Sequence, residues 1–251
     1  MFGRSRYTIR PVCVGTLTID KSHLVFGVGY GEKIDSAVCM WYVEGAGRRI
    51  MVDTGCCDPE RSAKYHYPLK RTPEQEPRTA LAAIGVDPAD IDTVVCTHLH
   101  WDHCYNHELF TKARFYVQKT ELQYAAAPHP MNCKAYESIT IGMTPPYLKT
   151  RFEVVDGDLE LAPGLKLYFA PGHTPGMQGL AVDTKAGVYF VASDNLPLYL
   201  NWEGNQLQKH IPGINFVNVD DYYRTFKLIE RVADHILPGH DPKMLEKAVY
   251  P

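Results

Sequence analysis

Along this chain the apolar residues fall in short blocks separated by polar and turn-forming ones. Blocks at 7–17, 36–43, 48–52, 92–96, 114–118, 165–169, 179–182 and 187–192 are rich in Val, Ile, Leu and aromatic residues, which predicts strands. Helical spacing predicts helices at 78–84, 120–126, 220–233 and 242–248. In 220–233, Tyr223, Phe226, Ile229 and Val232 recur about every third residue with Tyr222 beside them, so one face is expected to be buried. Asp220 or Asp221 stands where a cap is needed. Strands first, with helices interleaved later, fit an α/β protein of two sheets flanked by helices better than one doubly wound sheet. No internal repeat is evident, and residues 1–251 are read as a single domain.

Two stretches break the periodicity. Residues 56–77 mix Pro, charge and Tyr, and residues 127–150 are rich in Pro, Thr and Tyr. Irregular segments this long inside a compact domain are functional or disordered. The bland reading is a surface excursion. The alternative is that they wall a substrate pocket or form the contact of a homodimer. Tyr65, Tyr67, Met131, Tyr136, Met143 and Tyr147 favour walls.

The densest chemistry lies at 97–103, Thr-His-Leu-His-Trp-Asp-His, directly after the β-prone run IDTVVC. Residues two apart in an extended chain share a face, so His98 and His100 can converge on one cation. Asp102 and His103 come after the strand ends, where a turn can aim them at a second point. Imidazole with carboxylate suits zinc, iron, manganese or cobalt better than calcium or magnesium. Three more candidates stand where β-like runs end: His173 after 166–169, Asp194 after 187–193, and His240 after 235–239. Sites in layered α/β folds gather at strand ends. These seven residues suffice for two cations with room for water, Asp102, His103 and His240 taking the second. His23, His66, His107, His129, His210 and His235 lack a partner pattern and are expected to be packed or at the surface. Asp53, in VDTG at 52–55, ends a strand. Either it orients a ligand histidine by hydrogen bonding, or it only shapes the turn.

The HxHxDH pattern followed by His173, Asp194 and His240 resembles the metallo-β-lactamase superfamily. VDTG at 52–55, PGHTPG at 171–176 and PGHD at 238–241 resemble its N-acyl-homoserine lactonase branch, from about residue 36 to the C-terminus. The resemblance implies an αββα sandwich. It implies His98, His100 and His173 on one metal, Asp102, His103 and His240 on the other, and Asp194 bridging. Two divalent metal ions are thus expected, zinc first, with iron, manganese and cobalt as alternatives. The chain departs from the branch in two places. After the last histidine of the motif, many lactonases have a small residue and two glycines; Cys104-Tyr105-Asn106 stands here, and its bulk predicts an altered entrance. The tyrosine that such lactonases place three residues beyond the bridging aspartate is Pro197 here. Tyr199 is the nearest hydroxyl that could donate to an oxyanion instead.

Two adjacent cations would lower the pKa of a bridging water, so that hydroxide attacks an acyl carbon whose carbonyl one cation polarises. Asp102 would pass a proton to the alkoxide leaving group. No Gly-x-Ser-x-Gly elbow offers a rival nucleophile. The superfamily branch that does redox chemistry with two irons has Glu at the place of His100, so histidine favours hydrolysis. Opening of a lactone is the first expectation. A hydrolase of another ester, a thioester or a β-lactam is the alternative, and a non-hydrolytic di-metal redox or binding protein is a third. A net charge of −3 argues against a nucleic-acid partner. No apolar run approaches the ~18 residues of a membrane span, and the first residues lack the apolar core of a signal peptide. Seven cysteines, an odd number without a regular framework, read as reduced thiols and a cytoplasmic location. The expected partner is a small-molecule substrate.

Overall fold

Period-2 alternation in the long strands decides the layering. The computed structural model describes residues 7–251. Strands β1 (Thr8–Asp20), β2 (Lys33–Gly45), β3 (Arg48–Val52), β4 (Leu69–Lys70), β5 (Thr93–Val95), β6 (Arg114–Gln118) and β7 (Phe152–Val155) form one sheet. Its order is β4-β1-β2-β3-β5-β6-β7. Strands β8 (Leu159–Ala162), β9 (Leu165–Phe169), β10 (Gln178–Thr184), β11 (Gly187–Ser193) and β12 (His235–Pro238) form the other, in the order β12-β11-β10-β9-β8. The helices are α1 (Lys21–Leu24), α2 (Pro59–Tyr65), α3 (Pro77–Ala83), α4 (Lys119–Ala126), α5 (Tyr199–Glu203) and α6 (Val219–Val232).

On β2, Ala37, Cys39, Trp41 and Val43 enter a core shared with Leu180, Val182, Val191 and Leu237 of the second sheet. Their neighbours Val38, Met40 and Tyr42 face the other way, toward Leu81 of α3 and Ala125 of α4. On β11, Tyr189 and Val191 join the core between the sheets, while Phe190 and Ala192 meet Tyr222, Phe226 and Ile229 of α6. Each sheet thus buries both faces, one on its partner sheet and one on helices, as an αββα sandwich requires.

The structure corrects three local expectations. The buried face of α6 centres on Tyr222, Thr225, Phe226 and Ile229, and Tyr223 is 41% exposed. The cap is Asn218, whose side chain accepts from the Asp220 N–H; Asp220 and Asp221 sit in the first turn. Residues 242–248 form a short 3-10 turn, Pro242–Glu246, rather than an α-helix.

Strand direction places the site. β3, β5 and β6 are mutually parallel, so the segments after β3 and β5 leave the first sheet at the same edge. β11 and β12 are parallel, and β9 has their direction through two antiparallel steps across β10. The segments after β9, β11 and β12 therefore also leave together.

Candidate metal centre

All seven ligand candidates meet at that shared edge. Their donor atoms form three close groups: His98, His100 and His173; His98, His103 and Asp194; and Asp102, His103 and His240. His173 Nε2 stands 2.9 Å from His100 Nδ1. Asp194 lies between the groups: Oδ1 is 3.1 Å from both His103 Nε2 and His240 Nε2, while Oδ2 is 3.4 Å from His173 Nε2. Asp102 Oδ2 is 3.8 Å from His103 Nε2 and 3.7 Å from His240 Nε2.

The outward ring atoms are held by the fold. Asp53 Oδ2 accepts from His103 Nδ1 at 2.8 Å, and the same carboxylate accepts from the Thr97 N–H and hydroxyl. This resolves the two readings of Asp53: it orients a candidate ligand. The Ala37 carbonyl accepts from His240 Nδ1 at 2.8 Å, and the Thr97 hydroxyl is 3.1 Å from His98 Nδ1. Each such bond fixes the tautomer that leaves Nε2 free to face inward. The buried Glu121 carboxylate joins two segments, accepting from the Leu99 N–H at 2.9 Å and the Thr174 hydroxyl at 2.7 Å. Gly176 permits this approach, because a Cβ there would lie 2.0 Å from the Glu121 nitrogen.

The inward atoms fit cations. His98 Nε2, His103 Nε2 and Asp194 Oδ1 are buried without a hydrogen-bond partner. The 3.1 Å approach of His103 to Asp194 is a charge contact that lacks hydrogen-bond alignment. Orphaned polar atoms are costly in a protein interior, and three from one close group call for a positive centre. The electrostatics divide the same way. Burial pushes His98, His100 and His173 below the usual imidazole range, leaving them neutral, as ligation demands. Burial opposes protonation of His103 and His240 as well, but Asp194 and Asp102 outweigh it and raise both. Burial would raise the Asp194 carboxyl, yet His240, His103 and His173 hold it well below the usual range.

A cavity of about 450 Å³ opens over the cluster, reached by His100, Asp102, His173, Asp194 and His240. Its walls include His66 and Tyr67 from 56–77 and Met131, Asn132, Lys134 and Ala135 from 127–150. Both irregular stretches are walls, and the Trp101 N–H donates to the Ala135 carbonyl at 2.9 Å. Cys104, Tyr105 and Asn106 do not line the cavity. Cys104 is buried, and Asn106 donates to the Thr54 and Cys56 carbonyls, so their bulk is absorbed away from the entrance. Tyr199 is also elsewhere, a correction to its expected role as oxyanion donor. It opens α5, and its N–H donates to Asp241. Pro197 lines the cavity, as does Tyr67, whose hydroxyl is 2.9 Å from His23 Nδ1. His66, Glu121 and Glu137 carried no signal in the sequence, because their partners lie in distant segments.

Comparison with known proteins agrees with this geometry. The family model for the metallo-beta-lactamase superfamily matches residues 35–240. An N-acyl homoserine lactonase AttM of Rhizobium radiobacter is 31% identical over 247 residues, 91% of this chain and 90% of its own length. An N-acyl homoserine lactonase of Bacillus thuringiensis is 25% identical over 241 residues, 90% of each chain. A solved N-acyl homoserine lactone hydrolase, with N-hexanoyl-L-homoserine bound at its catalytic metal centre, is 21% identical; it superposes with a TM-score of 0.75 over 95% of each chain.

Proposed function

The chain belongs to the metallo-β-lactamase superfamily, in its N-acyl homoserine lactonase branch, and from that premise we propose that it opens N-acyl homoserine lactones with water. It is a metal-dependent hydrolase acting on ester bonds. In this reading His98, His100 and His173 hold one divalent cation, Asp102, His103 and His240 a second, and Asp194 reaches both. The observation that carries it is the set of buried, unpartnered ligand atoms facing one another below an open cavity. The nitrogen-rich donor set favours zinc, and it also accepts iron, manganese or cobalt.

When bound, the cations supply Lewis acidity, which polarises an acyl carbonyl and lowers the pKa of water toward neutrality. The protein does the rest by position. Asp53 and the Ala37 carbonyl hold His103 and His240 with Nε2 forward. Leu17, Ile19, Leu24 and Ile214 offer an apolar wall for an acyl chain, in a volume suited to a small ligand. Asp102 lies at the cavity, where its carboxylate can take the proton that the attacking water gives up as its oxygen bonds the acyl carbon, and pass it to the ring oxygen as the acyl C–O bond breaks. Ring opening then leaves a hydroxyl and a carboxylate.

The deciding experiment is a hydrolysis panel of short, long and ring-substituted lactones beside a thioester and a β-lactam. Lactones are expected to be fastest, with close to two metals per chain by elemental analysis. His98→Ala should lose both activity and bound metal. Faster turnover of the thioester or β-lactam than of every lactone would overturn the substrate assignment.

A further inference from the structure

His66 stands at the C-terminal end of α2 and lines the cavity. Its ring stacks flat on Trp101, 4.1 Å between centroids and 2° between planes, beside His100 and Asp102. Nε2 meets Glu137 Oε1 at 2.9 Å. Glu137 is fully buried, and Arg61 grips its carboxylate through both Nε and Nη2. Burial would raise that carboxyl, but His66 and Arg61 hold it below its usual range. Glu137 also keeps a left-handed backbone, φ 47°, which costs a non-glycine residue energy and marks a position held by its contacts.

An ionised carboxylate only accepts hydrogen bonds, so His66 Nε2 carries the hydrogen. Arg61 supplies the charge opposite Glu137, and the ring supplies one N–H from Nε2. Its other nitrogen, Nδ1, is then a bare acceptor. Among the described residues Nδ1 has no protein partner, and it is not among the sealed orphan atoms. This is an acceptor with a dictated tautomer, on the wall of a cavity, with nothing of the protein to accept from.

We propose that His66 is a specificity-determining residue whose Nδ1 accepts the N–H of a secondary amide in the substrate. The assignment rests on the lactonase reading and deepens it: the amide joins the ring at the metal centre to the chain on the apolar wall. A substrate without that N–H leaves this acceptor unsatisfied and is discriminated against.

The test compares zinc-loaded wild type and His66→Phe, which keeps the aromatic stack and loses the acceptor. The substrates are N-hexanoyl homoserine lactone and its carba analogue, in which CH2 replaces the amide N–H. Wild type should favour the amide in kcat/KM by roughly 10- to 100-fold, and His66→Phe should lose that preference with its metal content intact. Calorimetric binding of the opened product, N-hexanoyl homoserine, should weaken by a similar factor. If that variant does not fold, His66→Leu, which also lacks the acceptor, takes its place in the same comparison. Equal turnover of the two lactones, or a preference retained in His66→Phe, overturns the role of His66 and leaves the lactonase standing. Turnover of neither lactone by wild type overturns both.

Discussion

Asp53 has φ 58° and spends its carboxylate on His103 Nδ1 and on the Thr97 N–H and hydroxyl. Asparagine tolerates that backbone, so Asp53→Asn should fold while holding His103 less firmly. Metal affinity, read by chelator competition, should fall about 10- to 100-fold; an unchanged affinity would reduce Asp53 to a turn residue. Glu137 gives a pH signature. Its folded carboxyl lies below the usual 4.5. Ionised Glu137 therefore stabilises the fold above that value, and the contribution disappears as the pH falls through the lowered folded value. Urea unfolding of wild type and Glu137→Gln should show a gap that is steady above about pH 5.5 and narrows below about pH 4.5. A gap constant across that range would contradict the ion pair. The seven ligand candidates were legible because strand-end histidines and aspartates stand out in a local pattern. His66 was not, since Glu137 is 71 positions away and meets it only when two irregular segments fold together. Tyr199 misled for a related reason. Distance along the chain suggested the cavity, but Tyr199 opens α5 with its N–H on Asp241 and does not line the cavity.

At the scale of elements, α6 carries the clearest amphipathic signal and the clearest prediction. Phe226 is 1% exposed between α6 and the second sheet. Phe226→Asp buries an unpaired charge and should destabilise by about 3 kcal/mol or more in denaturant titration. A change within about 0.5 kcal/mol would mean that the helix face is misassigned. Interior strands were legible almost to the residue: β3, β6 and β9 coincide with their apolar blocks. Three of the edge strands were not. β4, β7 and β8 all lie at sheet margins, and Glu153, Val154 and Glu160 on them are exposed. A strand with one neighbour needs less apolar surface, so its sequence resembles a loop.

At the scale of the whole molecule, direction matters more than composition. Parallel β3, β5 and β6, and parallel β11 and β12, send their trailing segments to one edge, which is why residues from 53 to 240 can share one site. Among the described residues no helix is long and apolar enough to cross a membrane. The first sheet supplies His98, His100, Asp102 and His103; the second supplies His173, Asp194 and His240. On the proposed assignment, neither sheet owns a full ligand set for either cation. A bound ion would therefore crosslink the sandwich, closing long loops much as a disulfide does. Capture of metal then becomes a clock for assembly. During refolding with cobalt(II) added, the absorption band of the loaded site should appear only with the slowest folding phase, when the sheets dock. A band that develops while the sheets are still apart would mean that one half of the molecule can hold the ion unaided.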